Sequence, residues 1–220
     1  MPETIKIDFD DEAAFRTQVV KIKRVLNLGG VIAFPTDTFY GLGANPFHKK
    51  AISRIFKIKQ RQEDKPLLVL IGAIHQVNIL ALEINPTAEL LIKKLWPGPL
   101  TILFPAHTHL PTQLTANTGK IGIRQPGNER VRKLLTGIGY PITATSANVS
   151  GSANATTAEE VQETLGSQVD LILDGGPAVS DKESTVLDVT LSPPLIVRNG
   201  MMSKEEIETV LEMPCISIPQ

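Results

Sequence analysis

Brief, mostly apolar runs recur along the chain: VIAFP at 31–35, PLLVLIG at 66–72, LTILF at 100–104, IGIR at 121–124, PITAT at 141–145 and DLILD at 170–174. Runs this short suit strands, and their near-continuous hydrophobicity marks strands that are buried. Stretches with helical spacing separate them. Phe15, Val19, Ile22 and Leu26 follow an Asp10 or Asp11 cap at intervals of four, three and four, with Gly29 as a stop. Asn45-Pro46 opens a second helix, which turns Ile52, Ile55 and Phe56 inward and ends near Ile58. A third runs over about 86–96 and stops at Pro97-Gly98-Pro99.

Helical stretches follow at 129–135 and 158–165. The second opens on Thr157 and Glu160, a capping-box spacing that Ser203 and Glu206 repeat ahead of Ile207, Val210 and Leu211. STVLDVT at 184–190 alternates in polarity, and PLIVRNG at 194–200 follows a Pro-Pro turn. The pair predicts a hairpin that brings Ser184 towards Arg198. Some connections between strands are too short for crossover helices, so the pattern predicts an α/β fold on a mixed sheet. It predicts one domain over residues 1–220, with a core at about 12–211.

Charge narrows the function. The chain carries a net charge of -1, which argues against a generally basic nucleic-acid coat. Residues 48–65, however, hold Lys49, Lys50, Arg54, Lys57, Lys59, Arg61 and Lys65 against Glu63 and Asp64. A local cationic site on a near-neutral protein suits a compact anion better than a long polyanion. The single Cys215 excludes an internal disulfide framework and a cysteine-based zinc site. The acidic start MPETIKIDFDDEA has no apolar signal region, and no apolar run approaches a membrane span. The expectation is a soluble cytoplasmic protein that does not enter membranes.

Four stretches could carry chemistry. PTDTFYGLG at 35–43 leaves the first buried run with hydroxyls at Thr36 and Thr38 and with glycines that permit positive φ or close backbone approach. It is neither a dinucleotide GxGxxG nor a P-loop. In KIKQRQEDKPL, Lys59 and Arg61 fall on the connector between helix and strand if the helix ends near Ile58, where an extended chain turns both towards one anion. A solvated cationic helix end is the bland alternative.

TATSANVSG at 143–151 is dense in hydroxyls plus Asn148. It reads as a serine nucleophile at Ser146, as an Asx/Ser turn, or as a polar cradle for a ligand; a GxSxG elbow is absent. The last stretch is the Ser184–Arg198 hairpin, with Arg124 as another strand-end cation. His107 and His109 could share a metal but read as exposed loop histidines, and Trp96 reads as core rather than a base-stacking platform.

Cations, hydroxyls, one amide and glycines make up this inventory, with no cysteine nucleophile and no evident histidine base. Acyl or glycosyl transfer needs such groups. Nucleotidyl transfer needs them least, because positioning and charge stabilisation do most of the catalysis, with Mg²⁺ accompanying the nucleotide. The residues alone therefore point to an enzyme acting on a phosphate ligand.

In order, PTDTFYGLG, KIKQRQEDKPL, WPGPLT, IGIRQP, TSANVSG, STVLDV and LIVRNG resemble the YrdC-like threonylcarbamoyl-AMP synthases, over about residues 30–211. The resemblance implies a YrdC-like α/β fold, a twisted mixed sheet flanked by helices around a deep cationic cavity. It implies synthesis of L-threonylcarbamoyladenylate and pyrophosphate from L-threonine, bicarbonate and ATP with Mg²⁺. Partner proteins then use the product to modify the adenosine beside the anticodon of tRNA.

By motif position, Lys59, Arg61, Ser146 and Asn148 would be the catalytic signature. Arg61, Lys65, Asn148, Thr156 and Arg198 would hold ATP, with Lys59 beside them on the phosphates. Thr38, Arg124, Ser146 and Ser184 would hold threonine or its carbamate, with Thr36 as a neighbour. The chain departs from the family pattern at Leu70, where histidine is common, and at Lys120, where a small hydroxyl residue is common. SGSANATT lacks the usual prolines, and the sequence stops soon after the final helical stretch, without the extra C-terminal domain of longer relatives. Two other readings stay open on the same resemblance: a double-stranded-RNA-binding module without catalysis, and a YrdC-fold protein with different nucleotide chemistry.

Overall fold

Asp11 starts the first helix, α1 (Glu12–Asn27), by accepting hydrogen bonds from the amides of Ala13 and Ala14 at 2.9 and 3.0 Å. The helix turns the expected Phe15, Val19, Ile22 and Leu26 inward. The structure is a computed structural model and describes residues 2–178 and 182–217. The other helices are α2 (Lys49–Lys59), a one-turn α3 (Val77–Leu80), α4 (Pro86–Leu95), α5 (Glu129–Ile138), α6 (Ala158–Leu165) and α7 (Lys204–Leu211). None among the described residues is long and apolar enough to cross a membrane.

The strands are β1 (Glu3–Lys6), β2 (Ile32–Pro35), β3 (Tyr40–Gly43), β4 (Leu68–Leu70), β5 (Leu100–Pro105), β6 (Lys120–Arg124), β7 (Ile142–Ser146), β8 (Leu171–Asp174), β9 (Thr185–Asp188), β10 (Leu195–Arg198) and β11 (Ile216–Ser217). They join in the order β1-β8-β2-β3-β7-β4-β6-β5-β9-β10-β11. Parallel pairs such as β4–β6 and β5–β9 mix with antiparallel pairs such as β3–β7 and β9–β10, so the sheet is mixed as expected.

Residue alternation within the strands sorts the core into two layers. Ile32 and Phe34 of β2, with Leu171 and Leu173 of β8, pack with the apolar stripes of α1 and α5. Ala33 and Ile172 face the other way, with Ile52, Ile55 and Phe56 of α2 and Val161 and Leu165 of α6. Both faces of these strands are covered, which is why their sequences read as unbroken apolar runs.

Several boundaries differ from expectation. α2 begins at Lys49 behind a His48 cap, because Asn45 spends its side chain on the Phe47 amide at 3.0 Å in a turn of its own. It also continues to Lys59, one residue past the expected end, and stops where Gln60 adopts a left-handed φ of 48°. The YGLG part of PTDTFYGLG is the strand β3, paired in register with β2 from Ile32–Gly43 to Pro35–Tyr40. Gly43 serves close approach here: a Cβ would lie 2.7 Å from Phe34 Cε1. β1 and β11 lie at the two edges of the sheet and carry no periodicity strong enough to read from sequence.

Candidate functional site

A cavity of about 610 Å³ opens against one face of the sheet. Its apolar floor includes Leu68 and Leu70, two apart on β4, beside Ala144 on β7. Around this floor stand Thr36, Thr38, Arg61, Lys65, Arg124, Ser146, Ser184 and Arg198, contributed by separate strand ends and loops. The three arginines that sequence placed at strand and loop junctions therefore share one space.

Each group is held by a different local device. Gln60 turns the chain out of the helix, and Arg61 then donates from Nε to the Lys65 carbonyl and from Nη2 to the Pro66 carbonyl, both at 3.0 Å. Burial, followed by the nearby Arg198 charge, lowers the Arg61 pKa, with Glu183 opposing the shift. The guanidinium stays charged. Thr36 Oγ donates to the Phe39 carbonyl at 2.6 Å and lies 3.0 Å from Thr38 Oγ, which fixes the turn that presents both threonines.

Ser184 and Arg198 meet across the β9–β10 hairpin, as the alternation predicts. Arg198 donates from Nε and Nη2 to the Ser184 carbonyl at 3.2 and 2.8 Å, and from Nη2 to Ser184 Oγ at 3.1 Å. Its remaining Nη1 lies 2.7 Å from a carboxylate oxygen of Glu183. Ser184 Oγ also shares a 2.9 Å hydrogen bond with Thr101 Oγ. Gly200 lets the chain after β10 return against this corner, since a Cβ there would sit 2.4 Å from the Ser184 carbonyl carbon.

Lys59 behaves differently from Arg61. It is the last helical residue, 1% exposed, and does not line the cavity. Its ammonium donates to Asn148 Oδ1 at 2.8 Å, to the Asn148 carbonyl at 2.9 Å and to the Ser146 carbonyl, with Ser146 Oγ at 3.3 Å. The expectation that Lys59 lies on the connector beside Arg61 is thus corrected. The extra residue of helix points it back into the Ser146–Asn148 loop. Burial, then the Arg61 charge, pushes its pKa down to about 8. Three of its neighbours are acceptor-only oxygens, so the amine is committed as a donor and does not serve as a base for Ser146.

Asn148 is also buried behind the wall: Oδ1 accepts from Ser146 Oγ at 2.7 Å, and Nδ2 donates to the Ser152 carbonyl at 2.6 Å. Ser146 has an amide oxygen and an ammonium for neighbours, and no imidazole, which leaves the serine-nucleophile reading without a base. Thr156 turns its amide and hydroxyl to Glu160 at 2.7 and 3.1 Å and does not line the cavity either.

Of the departures from the family pattern, Leu70 lies in the cavity floor, whereas Lys120 pairs with Asp188 at 2.6 Å outside it. Trp96 is buried, with Nε1 donating to the Leu100 carbonyl. The rings of His107 and His109 meet at a 45° tilt with centroids 4.1 Å apart, and no group of three metal-binding side chains occurs among the described residues.

Sequence reasoning passed over the carboxylates. Asp37 lies on Arg124, with both oxygens 2.7 Å from Nη1, and its Oδ2 accepts from the Gly127 amide at 3.2 Å. Glu183 lies on Arg198, and Asp64 lines the rim. The one available signal was position: Asp37 sits between the two threonines already singled out, and Glu183 beside Ser184.

A family model described as "Telomere recombination", covering Sua5, YciO and YrdC proteins, matches residues 24–200. Over 183 residues the chain is 42% identical to the threonylcarbamoyl-AMP synthase of Pyrococcus abyssi, an alignment covering 83% of this chain and 54% of that protein. It is 37% identical over 207 residues to the threonylcarbamoyl-AMP synthase of Bacillus subtilis, covering 93% and 60%. The crystal structure of P. abyssi Sua5 complexed with L-threonine superposes with a TM-score of 0.88 at 36% identity, covering 98% of this chain and 62% of that one. The chain thus spans little more than half the length of these curated relatives.

Proposed function

The chain belongs to the Sua5–YciO–YrdC family, and from that premise we propose that it is an L-threonylcarbamoyladenylate synthase. Its substrates are L-threonine, bicarbonate and ATP, and its product serves partner proteins that modify tRNA beside the anticodon. One observation carries the reading: Arg61, Arg124 and Arg198 share a cavity with hydroxyl groups, and no histidine or cysteine lines it among the described residues. That set suits a reaction between two anions.

Arg124 and the Thr36–Thr38 turn bind threonine, the guanidinium taking the carboxylate. Arg61, Lys65 and Arg198 take the nucleotide phosphates. Threonine's amine and bicarbonate form the carbamate with loss of water. A carbamate oxygen then attacks the α-phosphorus, the bond from that phosphorus to the β-bridging oxygen breaks, and pyrophosphate leaves. The protein's work is to align the two anions and offset their repulsion.

Ser146 and Ser184, which also line the cavity, hold threonine or its carbamate, with Lys59 and Asn148 bracing Ser146 from behind. Thr156, turned to Glu160 behind the wall, makes no direct contact with the nucleotide in this arrangement. Mg²⁺ bound with ATP would supply neutralisation of phosphate charge. A metal held this way needs only one or two carboxylates besides phosphate oxygens and water, and Asp64 and Glu183 are the lining carboxylates that fit.

The test is pyrophosphate release from ATP with threonine and bicarbonate omitted in turn. Release that needs both supports the synthase. Release indifferent to threonine overturns it, and salt-sensitive duplex-RNA binding without any turnover would favour the RNA-binding reading instead.

A further inference from the structure

The Asp37–Arg124 pair is the most buried ion pair among the described residues, with side chains 13% and 7% exposed. Its geometry is asymmetric. Both Asp37 oxygens engage the same guanidinium nitrogen, Nη1, at 2.7 Å. A bidentate pair would instead use two nitrogens and consume an edge of the fork. Here the Nε–Nη2 edge of Arg124 makes no hydrogen bond among the described residues, while Arg124 itself lines the cavity.

Asp37 is held in turn. Oδ2 accepts from the Gly127 amide, in the loop that follows β6 and Arg124. Its own backbone is fixed by Thr36 Oγ, which accepts from the Thr38 amide at 3.1 Å and donates to the Phe39 carbonyl. A short, braced acid thus grips the outer nitrogen of a strand-end arginine.

We propose that Asp37 is a positioning residue for amino-acid binding: it fixes Arg124 through Nη1 so that the Nε–Nη2 edge is presented to the substrate carboxylate. Asp37 does not touch the substrate in this arrangement. It sets the rotation of the guanidinium and offsets part of its charge, so that Arg124 is not an unpaired buried cation before substrate binds. This inference rests on the proposed placing of threonine at Arg124.

The test compares wild type and Asp37→Asn by calorimetric binding of L-threonine without ATP, with KM for threonine and for ATP measured separately. The amide keeps the size and one oxygen for Gly127 but loses the charge. The expected result is a loss of threonine affinity of about tenfold or more, a matching rise in KM for threonine, and little change in KM for ATP. Asp37→Glu, which keeps the charge on a longer arm, should recover part of the affinity.

Unchanged threonine affinity in Asp37→Asn overturns the inference, as does an equal rise in both KM values, which would mark Asp37 as a general fold contact. Binding also separates this inference from the reaction. Wild type that binds threonine but releases no pyrophosphate refutes the synthase and leaves the Asp37 comparison valid. Wild type that binds no threonine overturns both.

Discussion

Lys59 Nζ lies 2.8 Å from Asn148 Oδ1 and 2.9 Å from the Asn148 carbonyl, so two members of the Lys-x-Arg and Ser-x-Asn motifs are bonded directly to one another. The motif residues therefore divide by task. Arg61 and Ser146 face the cavity, while Lys59 and Asn148 stand behind it and fix the loop that carries Ser146.

Lys59→Met tests that division. The substitution leaves the oxygens around the lost ammonium without their buried donor, and each orphaned group costs about 1–3 kcal/mol. Both melting temperature and kcat should fall, with kcat down by about tenfold or more as the Ser146 loop loosens. Thermal unfolding alongside steady-state kinetics checks it. A fall in ATP affinity alone, with stability intact, would put Lys59 on the phosphates after all.

The lowered pKa of Lys59 gives a pH signature with two limbs of opposite sign. Folded Lys59 loses its proton near pH 8, while the unfolded residue keeps it to about 10.4. Between these values the unfolded state binds more protons, so this group's contribution to stability rises with pH. Activity should move the other way, because the neutral amine has one fewer donor for the loop. A kcat profile falling with a midpoint near 8 in wild type, and flattened there in Lys59→Met, is the expected outcome.

Arg61→Ala should reduce kcat by roughly a hundredfold or more, the ~3 kcal/mol scale of losing one donor to a charged transition state. Its hydrogen bonds go to the nearby Lys65 and Pro66 carbonyls on a half-exposed loop, so circular dichroism should show an intact fold. Near-normal turnover in that folded variant would make the connector ordinary surface.

Glu183→Gln should bind pyrophosphate more tightly in the absence of Mg²⁺. Arg198 gives Nε and Nη2 to Ser184 and pairs through Nη1 with Glu183, so that carboxylate competes with a phosphate for the same nitrogen. The pair is partly exposed, and its removal should be worth up to about 1 kcal/mol, a few-fold in affinity by titration calorimetry. Weaker binding would show that Glu183 helps to hold the ligand.

Much of this was legible in the sequence because it rests on local rules. The α1 stripe, the Ser184–Arg198 hairpin and the gathering of strand-end arginines follow from periodicity and from where chains must turn. Lys59 was misplaced because its direction depends on a single extra helical residue before Gln60, a matter of one backbone angle rather than of composition. β3 was hidden because glycines are poor strand formers by propensity, and Gly43 is there for close approach to Phe34. Asp37 and Glu183 were missed because a carboxylate beside a cationic motif looks the same whether it is solvated or clamped onto an arginine.

The central claim is that one cavity joins an amino-acid carbamate to the α-phosphate of a nucleotide. Incubation with ¹³C-bicarbonate, L-threonine and ATP, followed by ¹³C and ³¹P NMR of the product, tests it directly. The account predicts a new carbonyl resonance split by coupling to phosphorus and dependent on threonine. ATP consumption with the labelled carbon left uncoupled would contradict it.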